Sequence, residues 1–255
     1  MQQNLISLYT IARRETTRIF RIWLQTLVPP VITMTLYFVV FGTFIGSQLR
    51  DINGYPYMAF IAPGLIMMSI ITNSYTNTVS SFFSTKFQKN IEELLVSPTP
   101  NWVIVLGYIS GGMIRGLSVG FLVSMVSLFF VRLPLYSVVY TTLFAFLTSF
   151  VFALAGMING IFAKKFDDIS IIPTFVITPL TYLGGVFYSI TLLPDFWRMI
   201  SKANPIIYMI DGFRYGFLGI SDMSVYSGLG MLVLFAAVLF SVNLYLLQKG
   251  VGIRS

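Results

Sequence analysis

Apolar positions along the chain gather into six runs separated by short polar connections. A spanning helix needs about 20 predominantly apolar residues. Leu24–Gly46, Tyr57–Val79, Trp102–Phe130, Val138–Ala163, Ile169–Ile190 and Tyr226–Leu247 each reach that length. The pattern predicts an all-α polytopic membrane protein with six transmembrane helices, forming one unit over residues 1–255. Three stretches do not fit a plain span-and-loop scheme.

Residues 1–23 place Leu8, Ile11, Ile19, Ile22 and Trp23 among four arginines. This suits a helix lying in the membrane interface, its arginines towards anionic headgroups; an ordinary cap flanking the first span is the alternative. In residues 82–100, Phe83, Phe87, Ile91, Leu94 and Leu95 recur at helical spacing, and Ser97-Pro98-Thr99-Pro100 ends the helix abruptly. The segment reads as a short amphipathic helix able to dock on something. Residues 191–223 are too apolar for a plain loop and too broken by Pro194, Pro205 and glycines for a span. They read as re-entrant or interfacial half-helices capping the outer end of a cavity; an apolar packing loop is the alternative.

Charge sets the orientation. With both termini cytoplasmic, the inner segments hold Arg13, Arg14, Arg18, Arg21, Lys86, Lys89, Lys164, Lys165, Lys249 and Arg254. The outer segments hold Arg50, Arg132, Arg198, Lys202 and Arg214. Ten inside against five outside follows the positive-inside rule. The net charge of +7 therefore reflects membrane topology rather than nucleic-acid binding. The first run follows a basic stretch without an A-x-A-like cleavage site, so no removed signal peptide is expected.

Composition removes whole classes of chemistry. Only 10% of residues are charged, against about 25% in soluble domains. The absence of Cys and His excludes disulfides, thiol nucleophiles, Cys/His metal sites and histidine-based catalysis. "GLSVG" at 116–120 matches a nucleophile-elbow pattern, yet Ser118 lies in a predicted span and has no histidine partner. Its glycines belong instead to a spacing of four through Gly112, Gly116 and Gly120, repeated by Gly156 and Gly160, which lets helices approach closely in lipid. No phosphate-binding P-loop is present, so the chain binds no cofactor of its own by that route. All nine acidic residues fall outside the expected spans, which argues against a proton relay.

Arg115 is the one ionisable residue within an expected span. It either snorkels and pairs at the interface or contacts an anionic substrate. Asn73 and Asn77, at i and i+4, either hydrogen-bond between helices or line a polar entrance.

Three segments in order, "NIEELLVSPTP", "GGVFYSITLLP" and "NPIIYMIDGFRYGF", resemble the characteristic segments of ABC-2-type permeases. These are membrane subunits of a class of ATP-binding-cassette exporters, and the six-run layout matches along the whole chain. The resemblance implies a non-enzymatic transport subunit of the bacterial inner membrane. ATP and Mg would act on a separate cassette ATPase dimer beneath two permease copies, a homodimer or a paired second permease, surrounded by membrane lipid. It makes the 82–100 helix the coupling helix, with Phe87, Ile91, Leu94 and Leu95 as the docked face, Glu92 and Glu93 near it, and Pro98 fixing its exit. The loop at 164–168 is a second expected contact. The region containing Asn204, Pro205, Asp211 and Arg214 is expected to form the outer gate. The implied cargo is hydrophobic, lipid-linked, drug-like or polysaccharide; a carrier or scaffold not coupled to ATP is the alternative.

Overall fold

The computed structural model describes residues 2–48 and 51–252, apart from the side chains of Thr43, Ser47 and Leu95. Arg50 and Arg254 of the charge comparison lie outside the described residues. The described chain is helical, beginning with α1 (Gln2–Arg21), α2 (Trp23–Thr26) and α3 (Val28–Tyr37), the last running on as a π-helical segment at Phe38–Ile45. There follow α4 (Tyr57–Phe87), α5 (Asn90–Val96), α6 (Asn101–Ser127), α7 (Val138–Phe162), α8 (Asp168–Ile172) and α9 (Thr178–Tyr182). The chain ends with α10 (Asp195–Ala203), α11 (Pro205–Leu218) and α12 (Val225–Lys249).

The central element is α4. Its 31 residues make a rod of about 46 Å at 1.5 Å per residue, long enough to cross a bilayer and project beyond it. Of its most apolar stretch 89% is buried inside the protein, against 17% for α12 and 22% for Trp23–Gly42. Protein therefore surrounds α4, while α12 and the first span turn their apolar surface outward.

Glycines set the spacing around it. A Cβ added at Gly112 would lie 2.6 Å from the Ser74 carbonyl oxygen, and one at Gly116 would lie 3.0 Å from that of Ile70. On α7, a Cβ at Gly156 would lie 2.5 Å from the Tyr75 carbonyl oxygen, and one at Gly160 3.3 Å from that of Val79. Small residues at spacing four thus bring backbones together without apolar driving force from solvent. The packing reading of "GLSVG" holds, since Gly116 and Gly120 both face α4.

Among the described residues, five helices are long and apolar enough to cross a membrane: Trp23–Gly42, α4, α6, α7 and α12. The expected run Ile169–Ile190 differs. Its helical part is α8, a π-helical turn at Pro173–Ile177 and α9. Together these cover 15 residues from Asp168 to Tyr182, about 22 Å at 1.5 Å per residue. Pro173 and Pro179 lack the N–H that a continuous helix uses. Gly185, at φ +76°, then turns the chain, and the Arg214 guanidinium donates to its carbonyl at 2.6 Å. Beyond it, α10 and α11 meet at Asn204, whose amide donates to the Leu180 carbonyl.

Both described ends lie at one end of the bundle. Ile11 of α1, Ile91 of α5, Tyr108 of α6, Ile161 of α7 and Leu246 of α12 share one buried cluster.

Gly156→Ala is expected to destabilise the purified protein by about 1–3 kcal/mol through overpacking against a rigid carbonyl. Gly230→Ala, where nothing lies within 4 Å, is expected to be neutral or slightly stabilising. Thermal unfolding of the two variants in detergent checks the contrast.

Candidate coupling platform and outer latch

The single amphipathic helix expected over residues 82–100 is two helices. Lys89, at φ 63°, breaks the chain between α4 and α5. Phe83 and Phe87 therefore belong to α4, and Ile91 and Leu94 to α5. Ile91 is 1% exposed within the cluster shared with Ile11 and Tyr108, and Leu94 packs against the same cluster. Ile91, expected on a docked outer face, is instead the anchor holding α5 to its own chain. The Leu95 side chain lies outside the described part of the structure. Glu92, Glu93, Val96 and Pro98 are exposed, with Val96 at 87%. Both glutamates sit in the first turn of α5, where the helix dipole favours negative charge.

The exit of α5 is fixed by short polar contacts and prolines. Ser97 Oγ donates to the Leu94 carbonyl at 2.6 Å and lies 2.9 Å from the Thr99 hydroxyl, from which it can accept. Pro100 then accepts from Val103 N–H at the start of α6.

A second contact joins α4 to the loop at 164–168. The ring centroids of Phe83 and Phe87 each lie 5.0 Å from that of Phe166, and 5.9 Å from each other. Lys86 Nζ donates to the carbonyls of Ile161 (2.5 Å) and Ala163 (2.8 Å), occupying acceptors left at the end of α7. Asp168 accepts from the N–H groups of Lys164 and Lys165 at 2.8 and 3.0 Å. Those backbone bonds hold its carboxyl below the usual carboxylate range. The end of α4, the 164–168 loop and α5 thereby form one platform.

The N-terminal helix packs one face on α6. Ile11 sits over Gly107 and Glu15 over Gly111 of α6. Arg14 donates to Tyr108 Oη at 2.9 Å, and its guanidinium stands 5.5 Å from that ring centroid. Glu15 is only 2% exposed. It accepts from Ser81 Oγ at 2.6 Å and from Arg18 at 3.0 Å, with Arg14 at 3.5 Å. Arg18 also donates to Asn77 Oδ1 at 3.3 Å. The sequence places Glu15 outside the spans; the one signal of its burial is its position four after Ile11, matching the spacing of Gly107 and Gly111. Asn77 thus bonds between helices, while Asn73 is buried and donates to the Ser69 carbonyl of its own helix at 2.9 Å. Arg115 is partly buried on α6.

At the opposite end, the expected gate residues hold the fold together. Asn204 caps α11, accepting from Ile206 N–H at 3.0 Å while its amide donates to the Leu180 carbonyl at 2.6 Å. Pro205 follows at the first helical position, where its missing N–H costs nothing. Arg214 is 2% exposed. It stacks 3.8 Å from the Phe60 ring centroid and donates to the Phe60 carbonyl at 3.2 Å. Asp211, 3.9 Å from Arg214, accepts from Ser221 Oγ and the N–H groups of Asp222 and Met223. This latch ties α11 to α4, to the Gly185 turn and to the approach to α12.

The sequence profile of the ABC-2 type transporter family matches residues 6–218. The chain belongs to that family. It is 58% identical over 250 residues to the inner membrane transport permease YadH of Escherichia coli K12, covering 98% of each chain. It is 26% identical over 211 residues to nodulation protein J of Sinorhizobium fredii NGR234, covering 82% of this chain and 80% of that one. Nodulation protein J of Rhizobium leguminosarum bv. viciae is 26% identical over 227 residues. This permease is thus a multi-pass transporter membrane subunit.

Arg214→Met is expected to destabilise the permease by about 3 kcal/mol, since Asp211 keeps three hydrogen bonds but loses its buried cation. Asp195→Asn, loosening an exposed pair with Arg198, is expected to cost less than about 1 kcal/mol. Thermal midpoints of both variants in one detergent provide the comparison.

Proposed function

We propose that this permease is the membrane half of an ATP-driven exporter of the bacterial inner membrane. A separate cassette ATPase dimer, carrying ATP and Mg, sits beneath two permease copies, a homodimer or a pair with a second permease. Both termini then face the cytoplasm. The observation that carries the reading is the arrangement of α5. Ile91 pins it inward while Glu92, Glu93, Val96 and the adjacent Phe87 face outward beside the 164–168 loop. A short helix held to its own chain on one face and free on the other is suited to lie in a partner's groove. A groove of about 530 Å³ between α1 and α5, bordered by Arg14, Asn90 and Glu93, extends the same surface.

Closure of the ATPase pair would push on this platform and tilt α4 and α6 as a unit. The α10–α11 hairpin would act as a re-entrant outer gate, swung by the latch rather than lined by it. The cargo falls within the hydrophobic, lipid-linked, drug-like or polysaccharide classes. Family membership and the YadH relative's designation as an inner membrane transport permease support this reading over an uncoupled carrier or scaffold.

Glu92→Lys with Val96→Asp is expected to leave the permease folded and to cut co-purification of its cognate cassette ATPase at least tenfold. Ile91→Asp is expected to unfold the platform instead. Equal ATPase recovery with wild type and the Glu92/Val96 variant would move the docking surface elsewhere.

A further inference from the structure

Residues Asp168–Tyr182 run as one continuous helical rod, yet the bundle hardly grips it. Of its 15 residues only Ile177 and Thr181 are buried, and α8 buries none. The rod is held at its two ends instead. At the outer end, Tyr182 Oη lies 2.8 Å from Tyr37 Oη, Asn204 binds the Leu180 carbonyl, and Arg214 binds that of Gly185. At the inner end the hold passes through α4 and α7.

Three contacts make that inner hold. Lys86 Nζ donates to the carbonyls of Ile161 and Ala163 where α7 stops. The Phe166 ring stands edge-on between Phe83 and Phe87 of α4. Asp168, the first residue of α8, accepts from the N–H groups of Lys164 and Lys165. Asn159 of α7 adds a longer bond to the Ile169 carbonyl at 3.5 Å. The turn at 163–167 is therefore an elbow, tied to α4 on one side and to α8 on the other.

The chemistry of Lys86 suits a joint. A helix C-terminus leaves carbonyls without intrahelical partners, at the negative end of its dipole. An ammonium group carries three donors and no acceptor, so Lys86 can serve two carbonyls at once. Among the described residues it has no carboxylate partner. It also lies beyond the last close glycine contact of α4 with α7, that of Gly160 on Phe82, and three residues before the break at Lys89 that starts α5.

We infer that Lys86 and Phe166 form the joint through which a displacement of α5 reaches the fifth helical rod. Lys86 is a positioning residue, acting through the carbonyls that end α7. A rod gripped only at its ends swings with little loss of buried contact when its elbow turns. The inference rests on the proposed coupling of α5 to a cassette ATPase.

The test uses the full-length permease assembled with its cognate ATPase in lipid nanodiscs. The chain has no cysteine, so Thr174→Cys puts one thiol midway along the rod at an exposed position, and a maleimide is the probe. Trapping the ATPase with ATP and vanadate is expected to change the maleimide labelling rate severalfold. Adding Lys86→Met or Phe166→Leu is expected to abolish that response and lower permease-dependent ATP turnover, with assembly and thermal midpoint retained. Lys86→Arg, which keeps donors for both carbonyls, is expected to restore the response. Phe162→Leu, an exposed ring outside the cluster, is expected to behave as wild type. An unchanged response in Lys86→Met, or a loss seen only in variants that also lose assembly or thermal stability, overturns the joint. No labelling response in an assembled wild type overturns it as well. Failure of the wild type to assemble with the ATPase overturns the coupling reading itself, and the joint with it.

Discussion

Carbonyl oxygens of Ser74, Tyr75 and Val79 on α4 face Gly112, Gly156 and Gly160 so closely that side chains there would press on backbone. Solvent does not drive helices together within lipid, so this contact surface must itself hold the bundle. It makes α4 the shared wall of α6 and α7, and leaves little freedom for α4 to slide past either. A push at one end of such a rod is delivered at the other. The α5 platform is built on its Phe83–Phe87 end, and the Asp211–Arg214 latch closes on Phe60 at its opposite end.

Polar groups inside this bundle serve as joints, each with a defined set of partners. Lys86 closes the end of α7, Glu15 fastens α1 to α4, Asn204 starts α11, and Arg214 holds the turn that ends the fifth helical stretch.

Much of this was legible in the chain itself. Run lengths located five of the spans, and the glycine spacing located their contacts. The "NIEELLVSPTP" segment marked α5 and its proline-bounded exit into α6. The fifth run reads longer than its helix because hydropathy counts apolar residues without regard to the turn at Gly185, which follows the helix end at Tyr182. Helical periodicity from Phe83 to Leu94 ran unbroken through Lys89, since a left-handed residue leaves no mark on apolar spacing. Ile91 likewise read as outward, because an amphipathic face says that something covers it, not whether the cover is the same chain. Asp211 and Arg214 stood out as charges in an apolar segment; only their partners reveal a latch.

The most direct measurement of the central claim is ATP hydrolysis by the cognate cassette ATPase in lipid, alone and assembled with this permease. The account predicts a stable assembly whose turnover depends on the permease. No assembly with any cassette ATPase, or hydrolysis indifferent to the permease, would contradict it.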